Sequence, residues 1–110
     1  MDKFTALAEP TRRDILELLA NSGKMSASQI YNEFNVSAPA ISQHLKVLRD
    51  TKLVIVEKNA QQRMYSINRT ALQEFTTWIE NLSKKWENRF DRMDKILAVE
   101  KEKLRKKGSK

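Results

Sequence analysis

Ser26-Ala-Ser-Gln-Ile-Tyr-Asn-Glu-Phe-Asn-Val-Ser-Ala-Pro-Ala-Ile-Ser-Gln-His-Leu-Lys-Val-Leu-Arg-Asp50 reads as two short helices joined by a tight turn. Ser26 has the side chain to accept a hydrogen bond from a free N–H at the start of a helix over Ala27 to Phe34, with Ile30 and Phe34 as its buried pair. Asn35-Val36 makes the turn. Ser37 caps the next helix, which runs to about Asp50, and Pro39 falls in its first turn, where a missing N–H costs nothing. Two capped helices so closely joined are the signature of a helix-turn-helix. In the second helix Ile41, Leu45 and Leu48 mark the buried face. Pro39, Ala40, Gln43, Lys46 and Val47 lie opposite, and Ser42 and Arg49 stand on the shoulders.

The flanking segments extend this unit. On the C-terminal side, Leu53-Val-Ile-Val56 and Met64-Tyr-Ser-Ile67 are two short strands around Asn59-Ala-Gln-Gln62, a hairpin placed as a wing. That turn lacks glycine, so Asn59 is the candidate for a left-handed residue. On the N-terminal side, Pro10 opens a helix with Ile15, Leu18 and Leu19 on one face, stopped at Gly23. Phe4 and Leu7 sit on a short helix before it. Leu72, Phe75, Ile79, Leu82, Trp86, Phe90, Met93 and Leu97 follow at helical spacing, with no glycine or proline between them. A helix from Arg69 to about Leu104 is roughly 50 Å long, longer than a small domain can cover, so its far half needs a second chain. The fold class is mainly α with a small β-hairpin: a winged helix-turn-helix with a long C-terminal dimerisation helix. It spans residues 1–104, with 105–110 as a basic, disordered tail.

Composition narrows the function. The 110 residues carry a net charge of +7 and no cysteine, which favours a nucleic-acid partner and removes disulfides, thiolate metal sites and cysteine nucleophiles. A single histidine, His44, cannot build a metal or triad site within one chain; a half-buried structural role or a phosphate contact suits it better. No phosphate-binding glycine loop or nucleophile elbow is present, so the reading is not an enzyme and calls for no cofactor. No apolar run reaches the roughly 18 residues of a membrane span, and Met1 to Ala8 has no apolar signal core, which points to the cytoplasm and no membrane partner. The acidic residues Glu80, Glu87, Asp91 and Asp94 interleave with Lys84, Arg89, Arg92 and Lys95, a pattern of exposed ion pairs.

The candidate DNA-binding residues follow from these faces. Ser37, Ala38, Pro39, Ser42, Gln43, Lys46 and Arg49 belong to the helix that enters the major groove; small residues allow close approach and Gln43 matches an adenine edge. Lys58, Gln61, Gln62 and Arg63 ring the wing turn and suit phosphate or minor-groove contact. Phe4, Leu7, Leu72, Phe75, Ile79, Leu82, Trp86, Phe90 and Met93 form the expected dimer interface. The aromatic stripe Phe75, Trp86 and Phe90, with Trp78 at its margin, suits such an interface better than a ligand pocket. The expected partners are double-stranded DNA and a second copy of the chain; no effector is legible. The alternative is a winged-helix module that binds protein instead. Lys46, Arg49, Lys52, Lys58 and Arg63 against only Asp50 and Glu57 in residues 37–63 favour DNA.

Ala6-Leu-Ala-Glu-Pro-Thr-Arg-Arg-Asp-Ile-Leu-Glu-Leu-Leu-Ala20 and Val36-Ser-Ala-Pro-Ala-Ile-Ser-Gln-His-Leu-Lys-Val-Leu-Arg49 resemble the ArsR-type winged-helix repressors. The resemblance covers residues 4–70 well and the final helix in kind only. It implies a dimeric repressor reading an imperfect palindrome, with Ser37–Lys46 as recognition helix, Lys58–Arg63 as wing, and the first and last helices in the dimer. Metal-sensing members carry cysteines near the first helix of the motif, or carboxylate and histidine ligands on the last. Here the matching stretch is Ser28-Gln-Ile-Tyr-Asn-Glu-Phe34, and the last helix has no histidine. The chain thus looks closer to the metal-independent subgroup, although an all-oxygen site for a hard cation stays open. Lys52 stands where the family usually has glycine, which raises the question of a left-handed backbone there.

Overall fold

Each helix of the N-terminal part starts on a side chain that satisfies its first free N–H groups. The computed structural model describes residues 1–108, with side chains to Arg105. Asp2 caps α1 (Lys3–Ala8) by accepting from Thr5 N–H, and Glu9 caps α2 (Pro10–Ser22) by accepting from Arg12 N–H. A short strand β1 (Met25–Ser26) leads into α3 (Ala27–Asn32) through a capping box, in which Ser26 and Gln29 each bind the other's backbone. Ser37 caps α4 (Ala38–Asp50), followed by β2 (Val54–Asn59), β3 (Gln62–Ile67) and α5 (Arg69–Gly108). The chain divides into two units, residues 1–72 and 73–110.

In the first unit the core is one apolar cluster. Ile15, Leu19, Ile30, Ile41, Leu45, Leu48 and Leu53 are each under 2% exposed or nearly so, so every helix from α2 to α4 contributes to it. The sheet has three antiparallel strands in the order β1-β3-β2, where the sequence suggested a hairpin alone. Met25 pairs with Tyr65 and Ser26 with Met64. Two residues are too short for any alternation to show, so β1 is made by its partner. The hairpin strands are longer than expected, closing on Ala60 and Gln61 with Asn59 opposite Gln62. Ala60, not Asn59, takes the positive φ, at 57°: once the strands pair out to Asn59, the left-handed requirement falls on the first turn residue.

Two further expectations change. The helix expected to reach Phe34 ends at Asn32; Phe34 is half-buried in the turn, while Ile30 is fully buried. Val47, expected on the outward face of α4, is half-buried. At about 100° per residue it lies on the same flank as Ala40, His44 and Thr51, so the covered arc is wider than the three leucine and isoleucine positions imply.

The end of α4 is a Schellman motif. Leu53 N–H donates to Leu48 O at 2.9 Å and Lys52 N–H to Arg49 O at 3.0 Å, with Lys52 at φ 62°. Leu48 and Leu53, both fully buried, make the accompanying apolar contact. Thr51 Oγ1 donates to Val47 O at 2.8 Å, and Asn68 Nδ2 donates to Lys52 O at 2.8 Å. This corner aims the wing.

Among the described residues of the second unit α5 is the one regular element. It continues to Gly108, past the end near Leu104 suggested by sequence, because nothing from 104 to 107 breaks a helix and Arg105 pairs with Glu102 at 2.9 Å. Of the expected tail, Ser109 and Lys110 lie outside the described residues.

Lys52 and Ala60 both sit where an L side chain crowds the backbone, at about 1 kcal/mol each. Lys52→Gly and Ala60→Gly should each raise stability by roughly 0.5–1 kcal/mol, after the added freedom of the unfolded chain is discounted. Chemical denaturation reads this directly, and a lowered midpoint for Lys52→Gly would contradict the Schellman assignment.

Candidate nucleic-acid interface

Burying one arc of α4 leaves the other bare. Ser37, Ala38, Pro39, Ser42, Gln43, Lys46 and Arg49 are all exposed, so the residues read from sequence as the recognition helix share one solvent-facing surface. Ser37 Oγ also has a structural task, accepting Ala40 N–H at 3.3 Å. Pro39 in the first turn removes a donor no helix partner would use, and with Ala38 it keeps that end narrow. Arg49 Nε lies 3.8 Å from Asp50 Oδ1, an exposed pair that leaves its guanidinium accessible.

The wing places its charges close together. Lys58 and Arg63 are direct cross-strand partners, and Gln62 is opposite Asn59; Lys58, Gln61, Gln62 and Arg63 are all exposed. Like charges directly opposite one another weaken a strand pair, and an anion between them reverses that penalty. Glu57, the acid nearest the tip, is drawn off by Lys24 Nζ at 2.9 Å across the sheet.

His44 is half-buried on the flank of α4, and its surroundings were not legible in the sequence. Its Nδ1 lies 3.4 Å from Arg12 Nη1 and 3.8 Å from Glu9 Oε2. Partial burial works to raise the Glu9 carboxyl. Hydrogen bonds from Arg12 N–H and from Thr11, with the His44 ring nearby, outweigh it and hold the carboxyl below its ordinary value. Arg12 stands 32 residues from His44, so no local spacing announces the contact.

The expected dimer residues differ in burial. Leu7, Leu72 and Phe75 are half-buried, and Phe4 is 50% exposed. Along α5, Ile79, Leu82, Trp86, Phe90 and Met93 are each about half exposed. Trp86 and Phe90 meet edge to face with centroids 5.0 Å apart. Among the described residues no group of three or more His, Cys, Asp or Glu is placed to hold a metal ion, and no helix is long and apolar enough to cross a membrane.

Known proteins share this arrangement. Residues 9–56 match the family described as bacterial regulatory protein, arsR family. The chain is 40% identical over 85 residues to the transcriptional repressor SdpR of Bacillus subtilis, covering 77% of this chain and 93% of that protein. It is 39% identical over 62 residues to an arsenical resistance operon repressor of Staphylococcus xylosus, covering 56% and 59% of the two chains. Among solved structures, an ArsR-like transcriptional regulator from Rhodococcus sp. RHA1 superposes with a TM-score of 0.76 at 29% identity, over 84% of this chain and 87% of that one.

Because the Glu9 pKa is lowered on folding, its contribution is complete above the ordinary carboxyl value of 4.5 and is lost as pH falls through the folded value. Glu9→Gln should therefore be less stable than wild type at pH 7, by up to about 1 kcal/mol as a weakened cap. The gap should narrow by pH 3. Urea titrations at the two pH values measure it, and a gap that widens in acid would contradict the direction given.

Proposed function

The chain belongs to the arsR family of bacterial regulatory proteins, and from that premise we propose a homodimeric repressor that reads an imperfect palindromic operator without a metal cofactor. Its relatives are regulators of transcription, so its work is DNA binding rather than catalysis. The observation that carries the reading is the outward arc of α4, narrow at its N-terminal end and polar in the middle, on a helix whose opposite face is fully buried. Gln43, Ser42, Ala38 and Pro39 meet base edges; Lys46, Arg49, Lys58 and Arg63 anchor phosphates. Two such helices related by a two-fold axis enter successive major grooves about 34 Å apart. The site of action is the cytoplasm, where bacterial DNA lies.

The second copy is argued from α5. Ile79, Leu82, Trp86, Phe90 and Met93 line one face and stay half exposed; burying the remaining half of each is worth about 1 kcal/mol. An α5 pairing covers them, and Phe4 and Leu7 of α1 belong to the same proposed interface. Metal independence rests on the ligand set: the chain has no cysteine and one histidine, so a soft ion finds no thiolates. A protein-binding winged helix is the weaker reading, because the facing cations at Lys58 and Arg63 suit phosphate better than a protein surface.

Selection from random duplex DNA should return a palindrome bound roughly a thousandfold or more above non-specific DNA. Enrichment of nothing, with only weak salt-sensitive binding, would favour the protein-partner reading. On the recovered site, Arg63→Ala should weaken all sequences alike and lower the salt slope by about one, whereas Gln43→Ala should relax preference at one base pair. Indistinguishable mutants would overturn that division of roles.

Sedimentation at micromolar concentration should find a dimer, and Leu82→Glu with Phe90→Glu should give a folded monomer. A monomeric wild type would end the homodimer proposal.

A further inference from the structure

Two arginines close the end of α1. Arg12 Nε donates to Ala6 O at 2.7 Å and its Nη2 to Thr5 O at 3.4 Å, while Arg13 Nη1 donates to Leu7 O at 2.7 Å and Ala8 O at 3.1 Å. The last four carbonyls of α1, which a helix cannot satisfy internally, are thus all occupied. Arg13 stops there. Arg12 has a third nitrogen left, and Nη1 lies 3.4 Å from Nδ1 of His44 on α4. Its own backbone N–H is held by Glu9 Oε2 at 3.0 Å, the cap that starts α2.

We propose that Arg12 and His44 are positioning residues for DNA recognition: the guanidinium, anchored on the carbonyls of α1, sets the rotation of α4 through His44. The rest of α4 is held by Ile41, Leu45 and Leu48, whose apolar contacts are non-directional. A hydrogen bond specifies an angle where such contacts tolerate a range. The angle matters because Gln43 is the next residue round the helix. A rotation of about 10° moves a side-chain end 5–6 Å from the axis by about 1 Å, while recognition needs placement within about 0.5 Å. Lysine could not replace Arg12, since one ammonium lacks the planar fork that reaches two carbonyls and a ring nitrogen together. The acceptor role leaves Nδ1 without a proton, so the neutral ring carries its hydrogen on Nε2.

This rests on the proposal that α4 reads an operator, and two measurements separate the two ideas. His44 is the only histidine in the chain, so its ring nitrogens give one set of 15N signals. At pH 8 these should report the Nε2–H tautomer in the wild type and a mixture in Arg12→Lys; a mixture in the wild type overturns the latch whatever DNA is bound. The second compares variants on the selected operator and on random duplex DNA. His44→Leu and Arg12→Lys should lose about tenfold in operator affinity, the value of one well-placed base contact. Both should keep random-DNA affinity within about twofold. His44→Asn, which retains an acceptor near the Nδ1 position, should recover most of the loss. An equal loss on both DNAs would make His44 a phosphate contact, and unchanged operator binding or no recovery by His44→Asn would also overturn the proposal. If the wild type selects no operator but its ring shows the Nε2–H tautomer, the operator reading falls and positioning for DNA falls with it, while the Arg12–His44 contact stands.

Discussion

Everything in the first unit depends on holding one side of α4 dry while the other stays bare. Ile41, Leu45 and Leu48 are at most 2% exposed, and the neighbouring flank from Ala40 through His44 and Val47 to Thr51 is at least half covered. A 13-residue helix is marginal alone in water, so its persistence comes from this burial. The same burial displays Ser42, Gln43 and Lys46 on a rigid element rather than a loop. The surrounding pieces serve that arrangement: α2 and α3 supply Ile15, Leu19 and Ile30 to the cluster, and Arg12 at the α1–α2 corner adds direction to a contact that apolar packing leaves loose.

The wing is held from three sides. The Schellman turn at Lys52 reverses the chain tightly enough for Leu53 to return to the core beside Leu48. Asn68 closes the base of the hairpin by binding Lys52 O with its side chain and Leu53 O with its N–H. On the far edge β1 pairs with β3, and Lys24 reaches across it to Glu57. The hairpin is therefore one part of a three-stranded sheet. That is the usual requirement for a β element to be stable rather than marginal, and it explains how an exposed tip carrying facing cations keeps its register.

The second unit poses a different physical problem. Among the described residues, one helix with a half-exposed apolar stripe has no partner element in its own segment, and charged residues of both signs flank the stripe. The two units thus answer to different constraints: residues 1–72 bury most of their apolar surface, whereas the described side chains from 79 to 105 leave theirs about half exposed.

The sequence by itself determined the helix starts, most of the apolar faces and the order of the helices and the hairpin. Caps, prolines and helical spacing act over at most four residues, and so Ser26, Ser37, Pro10, Gly23 and the stripe from Leu72 to Leu97 could be read in place. The outward residues of α4 were legible for the same reason, apart from Ala40 and Val47, whose cover comes from elements that meet them only in three dimensions. The tertiary structure alone decided the rest. β1 exists because Tyr65 and Met64 lie beside Met25 and Ser26. The positive φ passed from Asn59 to Ala60 because strand pairing extended to the turn. Arg12 met His44 because α2 and α4 bury their leucines against each other. The first and last join residues remote in the chain and the second depends on how far a strand pair extends, and an interaction that local geometry does not impose leaves no periodicity for a sequence to show.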